Sequence, residues 1–205
     1  HIADYDAKSI TISGNTTDDN ARHGLFLDND LNSNGAGTDI DILTHTADGN
    51  GGNGIFVSNG SGRLRVLDAT ATNNGGSGLK ISNFDNPLVG DFTLIGATDT
   101  NVALFSNNAI GVDIELVGNG LTQNVLLTQA RIDNNDRGIL ATADGVGTTL
   151  NLDIIDNISI SNQQWEGIRF SADGGATINN RIANIAPNTA LSMVGNNNLG
   201  GGNIS

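Results

Sequence analysis

The sequence predicts an all-β solenoid, a chain wound into about six to seven coils of three short parallel strands each. Three observations predict it. The chain has 205 residues, of which 30 are Asn and 28 are Gly. These two helix-poor residue types fill more than a quarter of it, which excludes a helical bundle or coiled coil. Hydrophobic residues make up 37% and recur in short alternating clusters, which excludes a flexible Gly-rich linker. One tetrapeptide, Gly followed by apolar, any, apolar, recurs throughout the chain. Aromatic residues are only 4%, so the core is expected to be Ile, Leu, Val and Ala.

The tetrapeptide marks one strand of each unit. It reads Gly24-Leu25-Phe26-Leu27, Gly54-Ile55-Phe56-Val57, Gly78-Leu79-Lys80-Ile81, Gly111-Val112-Asp113-Ile114, Gly138-Ile139-Leu140-Ala141 and Gly167-Ile168-Arg169-Phe170. Gly at that corner supplies a positive φ or a close backbone approach. A second alternation precedes it, as in Ala69 to Asn74, Ala103 to Asn108, Ala130 to Asn135 and Ile158 to Asn162. A third lies earlier still: Ile40/Ile42, Leu64/Val66, Phe92/Leu94, Val125/Leu127 and Leu150/Leu152. Strands this short cannot bury a face alone and must stack on the matching strand of the next unit, at a ladder spacing of about 4.8 Å. Asn just after an alternation accepts the left-handed backbone, and its amide can bond the equivalent Asn one coil away. Asn73, Asn107, Asn134 and Asn162 are the positions expected to form that ladder.

The pattern apolar-x-apolar-x-Asn-Asn, a short gap, then Gly-apolar-x-apolar resembles the right-handed parallel β-helix of the pectate-lyase-like superfamily. The likeness covers roughly residues 10 to 194 and points to no particular member. It implies one parallel β-helix domain over residues 1–205. Residues 1–9 and 195–205 carry no capping helix and are expected to be irregular or to connect to further coils. Since the chain opens on His1, it is read as a segment of a longer protein, with coil ends that could also stack on other copies of itself.

What the superfamily resemblance implies for catalysis finds only fragments here. A polygalacturonase-like site would need paired Asp residues, Gly-His-Gly and Arg-Ile-Lys; Asp18-Asp19-Asn20-Ala21-Arg22-His23-Gly24 has a superficial likeness, and no Arg-Ile-Lys occurs. A pectate-lyase-like site would need an Asp cluster with a basic residue, for which Asp113, Asp133, Asp136, Arg131, Arg137 and Arg169 are the available groups. No catalytic residue is assigned.

Charge and composition bound the rest. Nine Lys and Arg against 22 Asp and Glu give a formal charge of -13, which repels nucleic acid phosphates. No apolar run approaches bilayer-spanning length. The lack of Cys excludes disulfide frameworks and cysteine metal sites. The expected setting is extracellular or cell-surface, with no nucleic acid partner and no membrane insertion. Calcium is the one cofactor the residues suggest: Asp28, Asp30, Asn32 and Asp39 follow the spacing of an EF-hand loop, without its central Gly, its final Glu or its helices. Phe26 and Phe56 should stack as outward residues of adjacent coils, and together with Trp165 they are the candidate carbohydrate-binding residues. The leading reading is a non-enzymatic stalk, adhesive surface or self-assembling unit of a bacterial surface protein. The alternative is a polysaccharide lyase, hydrolase or epimerase, or a carbohydrate-binding module, using a groove along one sheet.

Overall fold

In-register stacking turns each short alternation into a strand. The computed structural model describes residues 2–3, 9–28, 39–58, 62–84, 92–98, 101–185 and 203–204. An incomplete first coil contributes β1 (Ile2–Ala3) and β2 (Ser9–Ser13). Full coils follow: β3 (Leu25–Asp28), β4 (Asp39–Leu43) and β5 (Thr46–Asp48), then β6 (Ile55–Ser58), β7 (Leu64–Leu67) and β8 (Thr70–Thr72). The next are β9 (Ser77–Phe84), β10 (Phe92–Gly96) and β11 (Ala103–Ser106), then β12 (Ile110–Val117), β13 (Thr122–Leu127) and β14 (Ala130–Asp133). The last full coil holds β15 (Arg137–Asp144) and the long β16 (Thr149–Ser161). Beyond it lie β17 (Ile168–Asp173), β18 (Thr177–Ile185) and β19 (Asn203–Ile204). The expected six to seven coils are thus five complete ones with partial coils at both ends.

Every pairing between these strands is parallel and joins equivalent strands of successive coils. The first sheet runs β1-β3-β6-β9-β12-β15-β17. A second runs β2-β4-β7-β10-β13-β16 and continues to β18, and a third joins β5, β8, β11, β14 and the end of β16. β16 serves two sheets because Asp156 and Asn157, at φ 56° and 60°, bend it between its pairing with β13 and its pairing with β14. Thr44, Asp68 and Gln129 turn the same corner on earlier coils with φ between 46° and 55°.

The interior is a stack of apolar columns. Leu25, Ile55, Leu79, Val112, Ile139 and Ile168 form one, and Ala47, Ala71, Phe105, Ile132 and Ile160 another, all buried. None of the six corner glycines has a positive φ, and at Gly24, Gly54, Gly78, Gly111 and Gly138 it is close approach of the next coil that requires glycine. A Cβ on Gly111 would lie 2.4 Å from Ile132 Cγ2 and 2.7 Å from the Gly138 carbonyl oxygen.

Two sequence expectations shift by one residue. In β10 the inward residues are Thr93 and Ile95, whereas Phe92 is 40% exposed. The alternation there reads either way, and a buried polar set decides it: Asn83 Nδ2 donates to Gln123 Oε1 at 3.0 Å, and Gln123 Nε2 donates to Thr93 Oγ1 at 3.2 Å. The amide ladder shifts too. Asn73, Asn107, Asn134 and Asn162 all have φ between 54° and 57°, and that conformation points their side chains to solvent. The ladder is formed by the residue after each, Asn74, Asn108, Asn135 and Gln163, and continues to Asn50 and Asn20 on the earlier coils. The Oδ1 of Asn108 accepts both the backbone N–H and the Nδ2 of Asn74, at 3.0 and 2.9 Å, and its own Nδ2 donates to the Ala71 carbonyl at 3.0 Å. Turning the chain at the first Asn is what aims the second one inward.

Candidate functional site

Outward positions of the first sheet form columns as regular as those of the core, because the pairing is in register. One column runs Phe26, Phe56, Lys80, Asp113, Leu140 and Arg169. Two residues along the strands, Ser58, Ser82, Glu115 and Thr142 form the next. Between these columns lies a cleft of about 550 Å³ lined by Phe56, Ser77, Lys80, Ser82, Asp113 and Glu115.

At one end of the cleft the Phe26 and Phe56 rings stack, with centroids 4.9 Å apart and planes 17° from parallel. The expected aromatic pair is therefore formed, and His23 completes it. Its ring lies 5.5 Å from Phe26 and 5.3 Å from Phe56, a neighbour that sequence spacing did not reveal. The Asn53 backbone N–H donates to His23 Nδ1 at 3.0 Å, which fixes Nδ1 as the unprotonated nitrogen. Burial, helped by the nearby Arg22 charge, holds His23 below the usual histidine range.

In the cleft centre Lys80 Nζ lies 3.1 Å from Asp113 Oδ2 and 3.2 Å from Glu115 Oε2. Ser82 Oγ donates to Glu115 Oε2 at 2.8 Å, and Ser77 Oγ donates to Asp113 Oδ2 at 3.4 Å. The Asp113 side chain is 8% exposed. Burial pushes its carboxyl up, against the pull of Lys80. Burial acts to lower Lys80 as well, but the two carboxylates together outweigh it and hold the ammonium above its usual range. Asp113 was among the acids available to a lyase-like site; its cation is Lys80, which spacing alone did not associate with it.

Further along the sheet, Trp165 is 61% exposed, with the Arg137 guanidinium 4.5 Å from its ring centre. Arg137 Nε donates to Glu166 Oε2 at 2.9 Å, and Arg169 lies 3.6 Å from the other oxygen of Glu166. Trp165 is thus separate from the Phe pair, which adjoins the cleft. Arg131 pairs with Asp133 on its own strand and face, in the third sheet.

Two of the four residues of the calcium expectation can be placed. Asp30 and Asn32 lie outside the described residues. Asp28 ends β3, while Asp39 begins β4 and is 3.3 Å from Arg63, whose backbone N–H it also accepts. Among the described residues no group of three or more His, Asp and Glu is arranged to hold a metal ion. No described helix is long and apolar enough to cross a membrane.

A family profile described as "Right handed beta helix region" matches residues 1–99. The parallel pairing of successive coils continues past that point to β18, with one register shift between Ile155 and Ile158. No curated protein and no solved structure matches the chain.

Proposed function

We propose that this right-handed parallel β-helix is a structural element of an extracellular or cell-surface bacterial protein, a stiff stalk whose sides present an adhesive surface. The observation that supports this best is the use of its charges. Arg63, Arg65, Lys80, Arg131, Arg137, Arg169 and Arg181 each lie within 4 Å of an Asp or Glu carboxylate. Most of these pairs bridge successive coils. Asp41 takes both Arg65 Nε and NH2, and Asp153 likewise takes Arg181. A lyase or hydrolase acting on an anionic polysaccharide needs cations aimed at substrate, and these are committed to the coil stack.

The test is turnover. The purified protein, incubated with neutral and acidic polysaccharides with and without calcium, is expected to release no reducing ends or unsaturated products. Release that disappears in Asp113→Ala would overturn the structural reading in favour of a polysaccharide-active enzyme.

A carbohydrate-binding role is the second reading, supported by the stacked Phe26 and Phe56 beside a cleft with polar groups. It predicts that saccharide binding, read by calorimetry, weakens at least tenfold in Phe56→Ala.

A further inference from the structure

We propose that Lys80 and Asp113 condense to an isopeptide bond, assisted by Glu115, which would tie two successive coils together covalently. The chain has two lysines, and in the ion pairs of the described residues Lys80 is the only amine; every other cation is Arg. The difference is chemical. A guanidinium stays protonated and is no nucleophile, whereas an ammonium that loses a proton becomes one. Lys80, the one lysine among the described residues, lies between two carboxylates, with Nζ at 3.1 and 3.2 Å.

The three groups are differentiated as the condensation needs. Asp113 is the buried member, which favours the neutral carboxylic acid required as electrophile. Glu115 is more open, is held by the Ser82 hydroxyl, and stands within reach of the same nitrogen. Ser77 donates to Asp113 Oδ2, the oxygen that departs. In-register stacking of β9 on β12 holds amine and carboxyl together, and such positioning raises effective concentration to roughly 10⁵ M or more.

The step balances without any co-reactant. A proton passes from the Lys80 ammonium to Asp113, giving amine and carboxylic acid. The nitrogen lone pair attacks Cγ and the Nζ–Cγ bond forms. Glu115 takes a second proton from nitrogen and returns it to the former carboxyl hydroxyl, whose bond to Cγ breaks as water leaves. Ammonium and carboxylate are consumed; one amide and one water are produced. Because the two carboxylates hold Lys80 protonated, the amine–acid pair is only sparsely populated; attack on Cγ with the Glu115 relay is the slow step, and the bond follows folding instead of accompanying it.

Intact-mass measurement of the aged, folded protein tests this. The expected mass is one water below that of the sequence, with a branched peptide joining the Lys80 and Asp113 segments after digestion. Lys80→Arg keeps the ion pairs and is expected to restore the full mass, as is Asp113→Ala. Glu115→Gln is expected to slow the loss of water by roughly 10²-fold, the ordinary worth of a general acid–base group. A folded wild-type protein that keeps its full mass overturns the proposal. So does a water loss that survives Lys80→Arg, which would place it at a cyclised Asp-Gly such as Asp144-Gly145.

Discussion

Replacing Asn108 by Ala removes one rung from the middle of the inner ladder. The side chain is 4% exposed, and its Oδ1 is the acceptor for both the backbone N–H and the Nδ2 of Asn74. Its Nδ2 serves the Ala71 carbonyl at 3.0 Å and Asn135 Oδ1 at 3.3 Å. Asn74 Nδ2 keeps a second partner in the Ala47 carbonyl at 3.1 Å, so the damage concentrates on the Asn74 backbone N–H and the Ala71 carbonyl. A buried polar group left without a partner costs about 1–3 kcal/mol. Two partly compensated orphans and a small void give an expected loss of roughly 3 kcal/mol, at the upper end of ordinary single substitutions. Asn107→Ala, one residue earlier, touches no ladder bond. It places Ala at φ 55°, which costs about 1–2 kcal/mol, and Asn107→Gly should recover most of that. Urea denaturation followed by far-UV circular dichroism ranks the three variants by midpoint at equal slope. An Asn107→Ala loss as large as that of Asn108→Ala would falsify the assignment of the ladder to the second Asn of each pair.

Two further perturbations address the corners and the histidines. Gly111→Ala drives a methyl into Ile132 and the Gly138 carbonyl, and should lower stability by roughly 2–3 kcal/mol; at Gly120, where φ is +68° and nothing lies within 4 Å of an added Cβ, Ala should cost only about 1–2 kcal/mol, both read by thermal melting. His45 is 1% exposed, its Nε2 is 3.0 Å from Thr17 Oγ1, and its Nδ1 has no partner. Burial depresses its folded pKa despite the neighbouring Asp18, and His23 is depressed as well. Between folded and unfolded pKa the unfolded chain binds more protons, so the stability these groups allow is fully present above about pH 6.5 and falls as pH drops below it. Hydrogen exchange at pH 5 against pH 7.5 should show the loosening confined to the coils around β3 to β5, and His45→Gln should flatten it; equal loosening around β15 would contradict the assignment.

The architecture was legible because its cause is repetitive. One Gly-apolar-x-apolar motif placed six strands of the first sheet, and the apolar columns follow from it. What escaped were choices of phase. Phe92-Thr93-Leu94-Ile95 alternates equally well in either phase, and only Gln123, a long way along the chain, selects Thr93 as the inward residue. Asn-Asn pairs present the same ambiguity, since both residues suit a corner and only the backbone shows which one turns. The candidate site was half visible. Column positions follow from register, so the Phe26–Phe56 stack could be read from spacing, but Lys80 engages Glu115 diagonally, and His23 reaches the stack from a turn.

Register also constrains what the surface can do. In a parallel coil each outward side chain stands about 4.8 Å from its equivalents, so a column of like charge repels itself along its length. A chain with 20 Asp meets that condition by alternation: Asp41 faces Arg65, Lys80 faces Asp113 and Asp153 faces Arg181. Asp144 facing Asp173 is an exception, and it falls at the ends of β15 and β17, where water screens it. A side chain spent on this alternation is not available to a ligand. The first-sheet column leaves that alternation where it turns aromatic, at Phe26 and Phe56, while Lys80 beside them stays within it as an amine able to react. These two features share a cleft, so an adhesive surface and a covalent tie between coils would occupy the same short length of the first sheet.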